Sequence, residues 1–346
     1  MRDSKSKKIL DFIKEKPLVS SKQIYDEVQL NVGYATVKRI LTKLLSENLI
    51  ITEGKGKGTK YRVSVGYELL FPVSLYEYFE KEVDEREIKS SYNFSLIKDV
   101  LSTVALFNQE ELHHLTSLQE LFMRKSRELT EAGYKKEMER LAIDLSWKSS
   151  QIEGNTYSLL ETERLLKEKE TALGKTKDEA IMLLNHKDAL DFIVHNPDYI
   201  EPLTIARIED IHSILIKDLG LDRNIRKSRV GISGTNYKPL DNEYQIKEAI
   251  EEMCKLINQR DLVFEKTLLL LVLLSYIQPF SDGNKRTARI ISNAILIKNQ
   301  YCPISFRTVD SIEYKKAMLL FYEQNNISAF KEIFINQFEF AVNTYF

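Results

Sequence analysis

The stretch Gln278-Pro279-Phe280-Ser281-Asp282-Gly283-Asn284-Lys285-Arg286-Thr287-Ala288-Arg289 is the most informative part of this chain. It links an apolar run, 268–277, to a second apolar pattern of helical spacing that starts near Asn284. A glycine-containing turn at a helix N-terminus presents free backbone N–H groups and the positive end of the helix dipole, which together favour an anion. Asp282 adds an oxygen ligand suited to Mg²⁺. The stretch therefore predicts a site for a nucleotide polyphosphate.

The same residues resemble the signature of the Fic (Fic/Doc) family, His-x-Phe-x-Asp-Gly-Asn-Gly/Lys-Arg-x-x-Arg, at every position except the first. The resemblance extends over about residues 145–340 and implies an all-helical fold that, in most members, transfers AMP from ATP to a protein hydroxyl. It implies ATP and Mg²⁺ as cofactors, with the metal held by Asp282. Phosphates are implied to contact the backbone N–H groups of Gly283, Asn284 and Lys285 and the side chains of Arg286 and Arg289, while Asn284 also holds the loop and a phosphate oxygen.

Gln278 stands where the family has its catalytic histidine. A glutamine can orient a hydroxyl but cannot accept its proton, and general base catalysis typically contributes about 10²–10⁴-fold. We therefore expect nucleotide and Mg²⁺ binding with poor AMP transfer or none, so enzymatic activity stays open. A natural degenerate member, a chain mutated for study and a different base are the alternatives. Lys285 also leaves open the phosphoryl transfer of Doc-like relatives, against which Gln278 counts equally.

A second stretch, Ser149-Ser150-Gln151-Ile152-Glu153-Gly154, resembles the family's inhibitory motif, Ser/Thr-x-x-x-Glu-Gly/Asn. The resemblance implies that Glu153 pairs with Arg289 and occupies the place of the γ-phosphate, with Ser149 and Gly154 completing the motif. An ordinary helix end at Gly154 would explain the glycine but not the full spacing. An inhibitory helix at about 141–155 is therefore favoured.

Residues Ser228–Leu240 alternate around Val230 and Ile232 and contain a turn at Gly234, which predicts a short hairpin. The overlapping segment 227–239 resembles the family flap, which aligns a target protein by strand addition. The residues implied to dock the target are Gly231, Ile232, Ser233, Gly234 and Tyr237. A plain connecting hairpin is the alternative interpretation.

The first 65 residues carry 14 Lys and Arg against 7 Asp and Glu, whereas the rest carry 36 against 44. Three apolar helical patterns, then two strand patterns around the glycine–lysine stretch 53–60, predict a winged helix-turn-helix. In such a domain the third helix and the wing contact double-stranded DNA. Candidate DNA-binding residues are Thr36, Lys38, Arg39, Lys43, Lys55 and Lys57. A protein-docking module with a basic face is the alternative.

The whole chain is thus expected to be mostly α, with an α+β winged helix domain at 1–65, a helical linker at 66–140 and a Fic-type helical domain with a hairpin flap at 141–346. Helices are predicted at Leu141–Gln151, Ser158–Glu170, Thr176–His195, Thr204–Leu219, Tyr244–Gln259, Phe264–Ile277, Asn284–Asn299, Ser311–Gln324 and Ile327–Phe346. Two cysteines without a metal-ligand pattern, no secretory signal and no run long enough for a bilayer predict a cytoplasmic protein with no membrane partner.

These features predict a Fic-family protein of the AMP-transferase lineage that is inhibited by Glu153 and impaired by Gln278. The alternative is a non-enzymatic, ATP-sensing, DNA-binding transcriptional regulator. The protein target, the DNA site and the existence of a homodimer stay open.

Overall fold

The structure is a computed structural model that describes residues 4–346, apart from the side chain of Lys57. Within this range the chain forms fifteen α-helices and three short strands. The prediction of a mostly α protein is therefore confirmed.

The N-terminal part combines three helices with an antiparallel sheet. Its elements are α1 (Ser4–Glu15), β1 (Val19–Ser20), α2 (Ser21–Val28), α3 (Tyr34–Ser46), β2 (Ile50–Glu53) and β3 (Lys60–Val63). Strand β3 lies between β1 and β2 and is antiparallel to both, so Ile51 is opposite Arg62. Ser20 and Gln23 form a capping box that fixes the start of α2. The β2–β3 loop, which carries most of the lysine-rich stretch, is exposed.

A connecting region follows, with α4 (Tyr67–Leu70), α5 (Leu75–Phe79), a π-helical turn at Leu96–Leu101 and α6 (Gln109–Glu128). It packs on the C-terminal helices, since Leu69 O accepts the Ile327 N–H at 2.8 Å. The side chain of Asn326 also donates to Glu68 O and Phe71 O, both at 2.7 Å. These contacts join the connecting region to the loop between α14 and α15.

The remaining helices are α7 (Glu131–Ile152), α8 (Leu159–Glu168), α9 (Lys177–His195), α10 (Ile205–Leu215), α11 (Glu243–Gln259), α12 (Val263–Ile277), α13 (Asn284–Lys298), α14 (Ser311–Gln324) and α15 (Ser328–Tyr345). They confirm the helices predicted from apolar spacing with shifts of a few residues at most ends, except that α7 starts at Glu131, ten residues before the predicted Leu141. Helix α12 lies at the centre, because residues 268–274 have no exposed surface. Of the helices within residues 4–346, none combines the length and apolar character needed to cross a bilayer.

The flap, residues 227–239, differs from its prediction. It forms a turn at Ser233 and Gly234 between irregular segments with no paired hairpin, and its β-bridge joins Lys238 to Ser91. The predicted hairpin is therefore wrong. Two arginine side chains donate hydrogen bonds to carbonyl groups of this segment. Arg226 Nη1 donates to Ser228 O at 2.8 Å, and Arg86 Nη2 donates to Gly234 O at 2.8 Å. Residues 227–239 make no main-chain hydrogen bond with one another.

Candidate functional site

The anion loop, residues 278–285, connects two buried helices. Helix α12 ends at Ile277 because Gln278 adopts a left-handed conformation, with φ of 52°, and is followed by proline. Gly283 is also left-handed, with φ of 79°, and α13 starts immediately after it. A Cβ atom at position 283 would lie 3.1 Å from His212 Cε1. Glycine is needed here for both its conformation and its size.

Two side-chain amides hold this loop in shape. Asn284 accepts the Phe280 N–H at 2.8 Å through Oδ1, and its Nδ2 donates to Phe280 O and to Gln278 Oε1, both at 2.9 Å. Gln278 Nε2 in turn donates to Ser275 O at 2.7 Å. Both ends of the Gln278 amide are therefore engaged within the protein. The side chain of Asn284 has no donor left for a ligand, which leaves its backbone N–H.

Phe280 and His212 support the loop from the core. Their rings stack with centroids 3.6 Å apart and an angle of 6°, and His212 Nδ1 lies 3.2 Å from Thr287 Oγ1. Burial and the nearby charge of Arg286 lower the pKa of His212 to about 4. The imidazole is therefore neutral at pH 7 and acts as a packing residue.

Glu153, at the end of α7, contacts two cations. Its Oε1 lies 2.7 Å from Arg289 Nη2 and its Oε2 lies 3.1 Å from Lys285 Nζ. Arg289 also donates to Ser149 Oγ at 2.8 Å and to Ser149 O at 3.0 Å. Ser149 and Glu153 are one helical turn apart, so they contact the same guanidinium from one face of α7. Gly154, with φ of 102°, ends the helix directly after the glutamate.

The charges of this contact are largely removed from water. The Arg289 side chain is 0% exposed and that of Glu153 is 19% exposed. Burial alone would raise the pKa of Glu153, but the charges of Arg289 and Lys285 and their hydrogen bonds hold it down at about 2. The carboxylate is therefore ionised at every physiological pH.

Arg286 is buried beside this contact, and few protein groups offset the charge of its guanidinium. Its side chain is 1% exposed, and Nη2 lies 3.2 Å from Asp282 Oδ2. Among the described residues, Arg286 Nε and Nη1 and Arg289 Nη1 have no hydrogen-bond partner. Buried donors without partners are uncommon in folded proteins and are typical of ligand sites.

Asp282 lies at the rim with its side chain 60% exposed, and its Oδ1 accepts the Gly283 N–H at 2.6 Å. Within residues 4–346, no group of three or more His, Cys, Asp or Glu is arranged to hold a metal ion. A metal at this rim would have one protein carboxylate and would take its other ligands from a bound anion and water.

A cavity of about 380 Å³ opens over the anion loop. Its walls include Glu153, the flap residues 230–233, and Lys315 and Tyr322 of α14. The guanidinium groups of Arg286 and Arg289 do not reach these walls. Glu153 lies between Arg289 and the cavity, so it covers the positive charge that an entering anion would seek.

Residues 202–296, which include the flap and the anion loop, match the family model of the Fic/DOC family. The chain carries a Fic/DOC family domain. It is 26% identical over 257 residues to a protein adenylyltransferase Fic of Nematostella vectensis, covering 69% of this chain and 59% of that protein. A probable protein adenylyltransferase of Aquifex aeolicus is 32% identical over 109 residues, covering 31% of this chain and 34% of that protein.

The solved structure of Fic-1 from Caenorhabditis elegans superposes with a TM-score of 0.60 at 20% identity, covering 68% of this chain and 72% of that chain. A Fic domain containing signalling protein from Bacteroides thetaiotaomicron gives a TM-score of 0.58 at 19% identity, covering 67% and 95%. At identities of 20% and 19%, the similarity to these two structures shows only that the fold is shared. The chain spans 59% or less of the curated relatives described above.

Two of the contacts around the site were not predicted from the sequence. Arg226 Nε donates to Gln278 O at 2.6 Å, and its Nη groups reach Ser228 O and Leu240 O, so this residue joins the anion loop to the flap. The side chain of Lys285 pairs with Glu153, although only its backbone was assigned a role. Carbonyl acceptors occur at every residue, so the partners of Arg226 leave no sequence signal.

The candidate DNA-binding residues lie in the N-terminal part, away from the Fic domain. Lys38, Arg39 and Lys55 are exposed, and Thr36 is half-buried near the start of α3. Lys43, near the end of α3, lines clefts against residues 108–111 at the start of α6. The side chain of Lys57 lies outside the described part of the chain.

Proposed function

We propose that this protein is an ATP-binding member of the protein adenylyltransferase lineage, inhibited by Glu153 and impaired in AMP transfer by Gln278. The observation that supports this most strongly is the Glu153 carboxylate, which contacts Arg289 at 2.7 Å and Lys285 at 3.1 Å beside a cavity of about 380 Å³. A carboxylate held by two cations occupies a place suited to a phosphate. The terminal phosphate of ATP would compete with it.

The other groups around the cavity fit a nucleotide. The backbone N–H groups of Asn284 and Lys285, at the start of α13, have no acceptor among the described residues. They lie at the positive end of the helix dipole, which favours phosphate. The exposed carboxylate of Asp282 would hold Mg²⁺, which usually combines one or two carboxylates with phosphate oxygens and water. Bound Mg²⁺ would neutralise charge on the phosphates.

Gln278 limits the chemistry that this site can perform. Its amide oxygen accepts from Asn284 at 2.9 Å and its amide nitrogen donates to Ser275 O at 2.7 Å. A neutral amide does not take up a proton near pH 7, so the attacking hydroxyl would lack a base. The loss expected is about 10²–10⁴-fold. A histidine is compatible with the left-handed backbone at this position, since His is enriched there.

Nucleotide binding is tested by calorimetry with ATP and Mg²⁺ on the wild type and three variants. We expect weak binding by the wild type, at least tenfold tighter binding by Glu153→Gly, and loss of binding in Arg286→Ala. Arg164→Ala removes an arginine from an exposed ion pair and serves as the control, with unchanged affinity. Absence of binding in both the wild type and Glu153→Gly would contradict the proposal.

Transfer is tested by incubating each protein with labelled ATP, Mg²⁺ and a cell lysate. Little labelling is expected with the wild type, more with Gln278→His, and most with Gln278→His combined with Glu153→Gly. Robust labelling by the wild type would show that Gln278 does not impair transfer.

A second candidate function belongs to the N-terminal part. Its element order, three helices with strands β2 and β3 flanking an exposed loop, together with the exposed Lys38 and Arg39 on α3, supports a winged helix that binds double-stranded DNA. In this proposal residues 1–65 bind DNA, 66–140 connect, and 141–346 sense ATP. Gel-shift titration with and without ATP tests it, and an unchanged affinity would refute ATP sensing.

A further inference from the structure

The flap is held by a segment that lies outside the matched family domain. Residues 84–91, here called the strap, follow α5 and run alongside the flap. Three hydrogen bonds connect the two segments: Arg86 Nη2 to Gly234 O at 2.8 Å, Asn236 Nδ2 to Asp84 Oδ1 at 2.8 Å, and Lys238 N to Ser90 O at 3.0 Å.

Arg86 is the anchored part of the strap. Its side chain is 5% exposed and its Nη1 lies 3.2 Å from the buried carboxylate of Glu323. Tyr78 donates to the same carboxylate at 2.7 Å, and burial followed by this hydrogen bond raises the pKa of Tyr78. A guanidinium is planar with donors in fixed directions. Once one edge is held by Glu323, the other is aimed at the carbonyl of Gly234.

The flap depends on these contacts with the strap because no main-chain hydrogen bonds connect its own two sides. In the described part of the chain, the backbone groups of residues 230–233 make no main-chain hydrogen bond. Free backbone groups in an extended segment are what strand addition by a second polypeptide requires. A segment with unpaired backbone groups binds a partner more tightly when its position is already fixed, because less conformational entropy is then lost on binding.

We propose that Arg86 is a positioning residue that fixes the turn of the flap beside the cavity, so that the docking edge for a protein target is set by a segment outside the Fic family domain. The docking role rests on the proposed function. The tether itself is independent of nucleotide, target and catalysis.

The test places a nitroxide spin label on the flap. Cys254 and Cys302 are both buried, so Ser233→Cys supplies one exposed thiol. Electron paramagnetic resonance is recorded without nucleotide on this protein and on the same protein with Arg86→Lys. Lysine keeps a positive charge for Glu323 but cannot serve both acceptors in fixed geometry. We expect a clearly more mobile spectrum in Arg86→Lys, at an unfolding temperature near that of the parent.

Lys89→Ala is the matched control, because Lys89 is a basic residue of the strap whose side chain contacts Glu68 and Gln324 O instead of the flap. Its spectrum should equal that of the parent. Asn236→Ala removes the exposed contact with Asp84 and should raise mobility even if Arg86→Lys fails to fold. The proposal would be overturned if Asn236→Ala and every folded Arg86 variant gave the same spectrum as the parent. Since no ATP is present, a failure of nucleotide binding leaves this result unaffected.

Discussion

The two cations that contact Glu153 differ in how freely they can move. Arg289 is 0% exposed and is also bonded to Ser149, so its position is fixed. The Lys285 side chain is 24% exposed and can leave the carboxylate for a phosphate without unfolding its surroundings. We therefore expect an entering nucleotide to displace the glutamate in steps, with Lys285 first. Lys285 gives Glu153 a second cationic contact besides Arg289.

The pH dependence of stability measures this contact. The folded pKa of Glu153 is about 2, below the value near 4.3 expected for an unfolded glutamate. Its contribution to stability is therefore fully present well above the unfolded pKa and is lost as pH falls towards the folded pKa. In the absence of nucleotide, Glu153→Gln should lower the free energy of unfolding at pH 7 by roughly 1–3 kcal/mol, and by about half as much at pH 3.

Urea unfolding at pH 7, 5, 4 and 3 gives the comparison. Glu163→Gln, which breaks an exposed pair with Lys167, should show little effect at any of these values. A difference between the wild type and Glu153→Gln that stays constant from pH 7 to pH 3 would exclude an ionised Glu153 as its source.

At the scale of elements, the anion loop is shaped by the ends of α12 and α13 and by α10 beneath it. Gln278 and Gly283 both take left-handed conformations, with φ of 52° and 79°. His212 of α10 packs under both Phe280 and Gly283. Three helices therefore fix the direction of the backbone N–H groups at the start of α13.

Gly283→Ala should disturb this loop through strain and collision together. The new Cβ would sit at φ of 79° and 3.1 Å from His212 Cε1. We expect a loss of about 1–3 kcal/mol in the free energy of unfolding and a large loss of ATP affinity. Gly174→Ala is the control, because its φ is 77° but nothing lies within 4 Å of the added Cβ. Calorimetry that finds ATP affinity equal in Gly283→Ala and the wild type would contradict a role for this loop.

Helix α7 is anchored far from Glu153. Its Asp144 is buried and accepts from Tyr345 Oη at 2.6 Å and from Arg307 Nη1 at 3.1 Å. We therefore expect Glu153 to release Arg289 by rotation of its side chain while α7 stays in place. Tyr345→Phe should cost about 1 kcal/mol of stability and leave ATP affinity unchanged. A tenfold gain in affinity on calorimetry would instead indicate displacement of the helix.

Over the whole molecule, periodicity and local chemistry were predictable, and long-range polar contacts were not. Apolar spacing located the helices because apolar side chains recur along their buried sides, and the Asp-Gly-Asn motif predicted the turn before α13. The hairpin prediction failed because the flap bonds to the distant strap: Lys238 N donates to Ser90 O, and Arg86 Nη2 donates to Gly234 O. Both partners lie more than 140 residues earlier in the chain, so no local pattern reveals them. The pairing of Lys285 with Glu153 depends on how α7 packs against α13, which no local pattern contains.

Charge is also distributed unevenly along the chain, and the basic residues of α3 differ in their surroundings. The first 65 residues carry 14 Lys and Arg against 7 Asp and Glu. Lys38, Arg39 and Lys43 are all exposed, and Lys43 also borders clefts against the start of α6. A flat anionic partner such as a DNA backbone would therefore meet Lys38 and Arg39 before Lys43.

Salt dependence of DNA binding tests this arrangement in the full chain. Each phosphate contact adds about 0.9 to the slope of log K against log salt for double-stranded DNA. Combined replacement of Lys38 and Arg39 by alanine should weaken binding at low salt and reduce the slope by about 1–2. Lys43→Ala, the same chemical change on the same helix, should reduce it less, because Lys43 borders a cleft that also contains the acidic residues Glu47 and Glu111. Fluorescence anisotropy with labelled duplex DNA gives both quantities. If the wild type shows no affinity even at low salt, or if Lys43→Ala has the larger effect, α3 does not present this face to DNA.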